Sequence, residues 1–419
     1  MAEFTFEGEV DSLSPRQREF ISELLQKRGL KVQKIQIETL GKAGDNYVAN
    51  VKKIIAVLEN GQTFDMIAKV APTNEIVRAT MGTVVLFGNE CLMYNEVLPK
   101  FVDLQRAAGI SEEEFFRSPE CYGTLMEPLN EILLLENLKE SNFEMLDRFT
   151  PLTNEAVKQI LKKFALLHSL SFALKKEDPD KFDSYSKRFQ DFFALLSANP
   201  EFREYLASIE RDTISILDSD VYKKAVRGSI SQLVEHSAKI FKYERNLRYS
   251  VVIHGDGWTN NFMFRLEENI PVEAVLIDYQ LSKIASPVTD LQYMIFSSTD
   301  HNTRHQHYYE WIDFYHSELD KCLANFGLKA NYVYPRDQLD ADLRRYSKVF
   351  FSSSILLLTV LIRKTEDAAK MKEAMESNQD LQDISATIQT SSLDQESVAL
   401  FKRKIENLVD SYREFGYLD

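Results

Sequence analysis

His254, Asp256 and Asn261 stand as H-x-D-x-x-x-x-N directly after an apolar run, Val251 to Ile253. Asp278 follows Asn261 by seventeen positions, at the end of a second apolar run, Val275 to Ile277. An aspartate and an asparagine five positions apart on one tight loop can aim a carboxylate and an amide oxygen into the same space. If the two runs are strands of a hairpin, Asp278 returns beside Asn261, and the pair offers oxygen ligands to a hard cation that keeps part of its water. Such a site suits a magnesium-bound nucleotide. Ordinary turn residues are the plainer account of the same letters, and their placement between two apolar runs speaks against it.

The arrangement resembles the catalytic loop of the protein-kinase-like fold, where the Asp receives or orients the hydroxyl proton and the Asn and second Asp hold Mg²⁺. That resemblance makes demands elsewhere in the chain. Lys69, inside the apolar stretch Met66 to Val70, matches the strand lysine that contacts the α- and β-phosphates of ATP. Glu90 lies on the helix expected after it and would pair with Lys69, with Glu96 as its competitor. Either charge alone would be a solvated side chain; their order before H-x-D joins them. The phosphate-covering loop falls on Gly41, Gly44, Asp45 and Asn46, although the full G-x-G-x-x-G spacing is missing and a plain hairpin turn is an equal reading. Glu136 to Leu138 would form the hinge whose backbone meets adenine, and also reads as a plain connector.

Several elements must hold these residues. Ser14 and Pro15 open a helix that runs to Arg28 and stops at Gly29. Residues 31–71 change to strand periodicity, with Asn60-Gly61 as a hairpin turn, so three or more antiparallel strands are expected. One long helix is expected from about Glu75 to Gln105, bent or ended by Pro99. Two more strands, CYGTLMEP and EILLLENL, lead to a polar connector. The boundary falls there, dividing an ATP-binding lobe, residues 1–137, from a mainly helical lobe, residues 138–419, that carries the catalytic loop and acceptor site. The fold class is α+β and bilobal.

In the second lobe an amphipathic helix is expected over 153–174, capped by Thr153, with further helices at about 184–198, 200–218 and 220–245. After the 248–280 hairpin, helices are expected at about 287–298, 303–327, 336–364 and 394–414. Asp290 opens the first of these and is expected to brace the catalytic loop. His168 reads as a packed core histidine. His301, His305 and His307 lack a metal-binding spacing and read as a solvated helix start. The aromatics Tyr308, Tyr309, Trp311, Phe314 and Tyr315 read as core in preference to an acceptor wall. The acceptor itself is expected against residues of the 184–245 and 300–360 segments.

The formal net charge of −14 argues against nucleic-acid partners, since phosphate-backbone affinity rests on basic side chains. Cys91, Cys121 and Cys322 form no C-x-x-C pair and read as reduced thiols. The acidic start and the lack of an 18-residue uncharged stretch give no signal peptide or membrane partner, so the expected location is cytoplasmic.

Taken together, the motifs resemble the insect ecdysteroid kinase-like family, whose CHK kinase-like domain is related to choline kinases and aminoglycoside phosphotransferases. The resemblance runs from about Leu13 to Leu408. It is carried by F-x-x-E-x-x-x-Y-x-x-x-L-P at Phe87 to Pro99, L-L-L-E-N-L at 133–138, H-G-D-x-W-x-N-N at His254 to Asn261, I-D-Y-Q at Ile277 to Gln280 and P-V-x-D-L at 287–291. It implies ATP-dependent phosphorylation of a small-molecule hydroxyl, with ecdysteroids or hydroxylated xenobiotics as acceptors. It further implies Asp256 as base, Asn261 and Asp278 as Mg²⁺ ligands, Lys69 as phosphate contact and Glu90 as its partner. Gly257 and Tyr279 depart from the usual residues of the family without removing a charged group. A choline- or ethanolamine-type kinase would keep this site and change the acceptor. A non-catalytic ligand-binding protein on the same fold would usually have lost the base or a metal ligand.

Overall fold

The computed structural model describes residues 4–41, 50–80, 82–244, 248–376 and 390–418. Six strands before Asn137 form one sheet: β1 (Thr5–Gly8), β2 (Val32–Thr39), β3 (Asn50–Leu58), β4 (Thr63–Val70), β5 (Cys121–Leu125) and β6 (Ile132–Glu136), in the order β1-β2-β3-β4-β6-β5. β1 runs parallel to β2 and was not expected; the remaining neighbours are antiparallel. The Pro15–Lys27 helix starts as the sequence demands, with Ser14 and Gln17 in a reciprocal capping box.

Side chains on a strand alternate between faces. On β4 and β6, Met66, Ala68, Ile132 and Leu134 pack with Ile21, Leu24 and Leu25 of that helix. Leu133 and Leu135 point the other way, into the larger core that continues through the rest of the chain. Lys69, between Ala68 and Val70, shares this second face with Ile67 and so looks toward the cleft.

The single helix expected over 75–105 is interrupted. It comprises Glu75–Thr80, Thr83–Leu92, a π-turn over Met93–Val97, and Leu98–Ala107. Gly82 breaks the first join with a left-handed φ of 56°. Pro99 does not end the helix but sits at the start of its last segment; it has no N–H for Asn95 and its ring crowds that carbonyl, a strain that widening into a π-turn relieves.

Beyond the sheet, the Asn154–Glu177 helix is buried almost all round from Ile160 to Leu174 and packs against His301–Ala324. The expected helix at 184–198 is two pieces, Pro179–Arg188 and Phe192–Ser197: Phe189 leaves the first with extended backbone, and Asp191 caps the second. The one expected at 220–245 divides into Asp220–Val226 and Leu233–Glu244 around Gly228, whose φ is 78°. Val288–Ser298, Arg336–Leu361 and Gln395–Glu414 lie where expected, and Ala330–Val333 and Thr365–Glu376 are additional.

Five short strands complete the fold: β7 (Glu144–Met145), β8 (Val251–Ile253), β9 (Phe262–Glu267), β10 (Ile270–Leu276) and β11 (Lys283–Ala285). The 248–280 reading is corrected in one respect. β9 pairs with β10 and β7, whereas β8 pairs separately with β11. Among the described residues no single helix is long and apolar enough to cross a membrane.

Tyr308, Trp311 and Tyr315 are buried core residues, whereas Tyr309 is exposed. Trp311→Ala should therefore cost about 3–5 kcal/mol of stability. Chemical denaturation checks this, and a loss below about 1 kcal/mol would show that Trp311 is not part of the core.

Candidate active site

The strand pairing of β9 with β10 sets Phe262 opposite Leu276 and carries Asn261 and Asp278 to adjoining positions. The Ile277 N–H donates to the Asn261 carbonyl at 3.0 Å, which closes the ladder between them. Asp278 then leaves the strand with a left-handed φ of 65°. That conformation costs a non-glycine residue energy and is found where surrounding structure imposes a direction on a side chain.

Asp278 reaches across to the sheet. Its Oδ1 is 2.6 Å from Lys69 Nζ, and Glu90 Oε2 is 2.5 Å from the same nitrogen. Glu90 is fully buried and Lys69 nearly so. Burial alone would lower the Lys69 ammonium, but Asp278 and then Glu90 outweigh it and raise it above its ordinary range, so it stays charged. Burial pushes the Glu90 carboxyl up to about 7, against the pull of Lys69. Glu96 is not an alternative partner: its carboxylate meets Arg188 at 2.5 and 2.7 Å on another side of the helix.

Asp256 lies within the same core, 7% exposed. Its Oδ2 accepts from Asn261 Nδ2 at 3.0 Å, and its carbonyl accepts from the same nitrogen at 2.8 Å. With that nitrogen committed, the Asn261 amide oxygen is the atom left to meet a cation. Oδ1 of Asp256 accepts from the Tyr293 hydroxyl at 2.8 Å. Burial first, and then the Asp278 charge, raise the Asp256 carboxyl above the usual range, while the Tyr293 and Asn261 hydrogen bonds draw it back.

The loop is held from behind. Asp290 Oδ2 and Oδ1 accept the backbone N–H groups of His254 and Gly255, each at 2.8 Å. His168 Nε2 lies 3.1 Å from Asp290 Oδ2, and its Nδ1 is 2.8 Å from the Tyr315 hydroxyl. The brace expected of Asp290 is thus present, and the core histidine orients it. Gly255 is needed because its φ is 84° and a Cβ there would come within 2.2 Å of the Leu281 carbonyl oxygen.

A cavity of about 240 Å³ opens between the sheet and this loop. Leu40, Val51, Ile67, Leu135, Met263 and Ile277 give it apolar walls, and Lys69, Asp278, Asn260 and Asn261 give it polar ones. Glu136, Leu138 and Gly41 also line it. Leu138 opens a 3-10 turn, so its N–H has no partner within that turn. The Glu136 side chain is engaged elsewhere, with Arg117, Ser141 and the Glu120 N–H. Gly44, Asp45 and Asn46 lie outside the described residues.

The ecdysteroid kinase-like family model matches residues 43–328. The chain belongs to the ecdysteroid kinase-like family. It is accordingly a small-molecule kinase that transfers phosphate to a hydroxyl. No curated protein matches it in sequence. Among solved structures, an ethanolamine kinase of Plasmodium vivax is 14% identical, covers 87% of this chain and 83% of its own, and has a TM-score of 0.40. A GDP complex of an aminoglycoside 2'-phosphotransferase is 12% identical over 93% of this chain and 98% of its own, with a TM-score of 0.42. A macrolide 2'-phosphotransferase from Brachybacterium faecium is 9% identical over 86% and 99%, at 0.32. Likenesses at this level decide nothing about the acceptor of this ecdysteroid kinase-like protein.

Two residues escape a reading of the sequence alone: Tyr293, which bonds Asp256, and Asn89, next to Glu90. Tyr293 stands three positions after Asp290 on the same helix, a spacing that puts both on one face, and that was the available signal. Asn89 carries no such signal: it precedes Glu90 and bonds the backbone of Gln190, far away in sequence. Tyr293→Phe removes a hydrogen bond that lowers the Asp256 pKa, so the carboxyl should titrate at a higher pH than in the wild type. A ¹³C NMR titration of Asp256 measures this; an unmoved titration would mean the hydroxyl does not act on it.

Proposed function

We propose that this chain is a magnesium- and ATP-dependent kinase that phosphorylates a hydroxyl of a small, apolar acceptor such as an ecdysteroid or a hydroxylated xenobiotic. The observation that carries the reading is the convergence of Lys69, Asn261 and Asp278 on one cavity, with Asp256 bonded to Asn261 at its edge. The cavity lies between a first lobe, residues 1–137, and a second, residues 138–419.

The donor set fits magnesium. The Asn261 amide oxygen and the Asp278 carboxylate are hard oxygen ligands on adjoining strand ends, and two protein ligands suit an ion that keeps several waters and phosphate oxygens. Bound there, magnesium–ATP would supply the phosphoryl group and neutralise charge on its oxygens. The apolar walls of the cavity suit an adenine ring, with backbone groups of Glu136 to Leu138 at its edge.

The protein's own residues do the remaining work. Lys69, held charged by two carboxylates, offers a fixed positive group to phosphate oxygens. Glu90 fixes its direction. Asp256 takes the proton of the acceptor hydroxyl, a task suited to a carboxyl whose pKa is raised toward the working pH. Asn261 and Tyr293 hold its two oxygens in place, so positioning precedes chemistry. The acceptor chemistry points to removal of foreign or hormonal hydroxyl compounds in the cytoplasm, where Cys91, Cys121 and Cys322 would stay reduced.

Asp256→Ala should lower turnover by at least on the order of 10³-fold while leaving the fold intact, and Asp278→Ala should lower it as much with a loss of stability besides, since it also unpairs the buried Lys69. The check is mass detection of phosphorylated product from ATP and a pool of ecdysteroids, other hydroxylated compounds and choline. Turnover surviving in either variant would sink the assignment.

A further inference from the structure

Asp256 stands between two spaces. Through Oδ2 it meets Asn261, which lines the 240 Å³ cavity. Through Oδ1 it meets Tyr293, which with Gly255 lines a second chamber, of about 40 Å³, on another side of the catalytic loop. In-line transfer sets the attacking oxygen and the leaving oxygen on opposite sides of the phosphorus, so a base needs the nucleotide on one side and the acceptor on the other. The second chamber has the position that the acceptor requires.

Its lining has a definite chemistry. Phe192, Phe193, Val349 and Phe350 give it apolar walls, and Ser237, Ser353 and Tyr293 add neutral polar groups. Thr289, only 5% exposed, lines it with a hydroxyl that has no hydrogen-bond partner among the described residues. Other buried hydroxyls, such as those of Thr213 and Ser397, also lack a partner among the described residues, but that of Thr289 stands on the wall of a chamber beside the loop, where a ligand atom could complement it. The charged pair on the wall, Lys283 and Asp191, lies 3.1 Å apart and cancels internally.

The chamber is also too small as it stands, since sites for ring compounds are commonly roughly 300–1,000 Å³. Phe192 and Phe193 belong to the short Phe192–Ser197 helix, so moving this one element would enlarge it. That helix is tethered by its leading residues. Asn89 Oδ1 accepts from the Gln190 N–H at 3.0 Å and Asn89 Nδ2 donates to the Gln190 carbonyl at 2.8 Å, while Asp191 holds Lys283. Because Asn89 precedes Glu90, the wall of this chamber hangs from the helix that positions Lys69.

Resting on the kinase reading above, we propose that this chamber is the acceptor site in a closed state. Phe192–Ser197 is its lid, Asn89 its tether, and Thr289 a specificity-determining contact. The acceptor class it takes is a neutral, apolar ring compound with one hydroxyl for phosphorylation and a second hydrogen-bonding group for Thr289.

The test uses the full chain and two separate measurements. Calorimetry with magnesium and a non-hydrolysable ATP analogue reads the nucleotide side. Steady-state kinetics with a neutral ecdysteroid and with choline reads the acceptor side. Val349→Trp, which fills the chamber, should raise the acceptor KM at least about tenfold and leave nucleotide affinity within about twofold; Thr289→Val should lower acceptor kcat/KM by about tenfold. Retained nucleotide affinity shows that each variant is folded. An unchanged acceptor KM in Val349→Trp overturns the chamber and leaves the kinase reading standing. Phosphorylation of choline but not the ecdysteroid, or of neither despite nucleotide binding, overturns the acceptor class. Failure of the wild type to bind the nucleotide overturns the kinase reading itself.

Discussion

A single buried ammonium ties the two halves of this molecule together. Lys69 comes from the sheet, Glu90 from the helix beside it and Asp278 from the end of the β9–β10 hairpin, and both carboxylates lie within 2.6 Å of the Lys69 nitrogen. Removing one partner of such a cluster leaves uncompensated charge in a dry interior, which is far more costly than losing a surface pair. The ion cluster therefore fixes the relative placement of sheet and loop as well as supplying charge to the cavity. The larger core agrees with this, because it runs without interruption from Phe87 and Leu133 into Leu161 and Phe164.

Parts of this were legible in the sequence because they rest on local rules. H-x-D-x-x-x-x-N and the following Asp sit at strand ends, where spacing translates directly into position. The Ser14 cap, the Asn60-Gly61 turn and the Thr153 cap likewise involve residues close in the chain. What could not be read depends on distant partners. Asn89 is an unremarkable polar residue until Gln190 is beside it, and β8 pairs with β11 across the whole intervening hairpin. The interruptions of helices expected to be continuous, at Gly82, Asp191 and Gly228, arise where one residue's cap or left-handed preference outweighs an apolar repeat that continues past it.

The loop that carries Asp256 shows how rigidity is layered. Asp256 is gripped at both oxygens, its neighbours His254 and Gly255 are gripped by Asp290, and Asp290 is in turn bonded by His168. His254, Asp290 and His168 are all fully buried. A loop held in this way loses little freedom when a substrate arrives, which is the condition for spending binding energy on the transition state.

The π-turn at Met93–Val97 bears on which length changes this protein can tolerate over evolution. A π-turn holds one residue more than the α-helical turn it replaces. Deleting that extra residue would close the turn to an α-helical one with both flanks near their present faces, whereas deleting a residue from the α-helical turn that follows would leave Glu90 in place and turn everything beyond it by about 100°. Phe101, now buried in the core, would swing toward the surface. The register of this segment is thus a matter of counting: substitutions can drift, but its length is constrained on one side by the buried ion cluster and on the other by the packed aromatic ring.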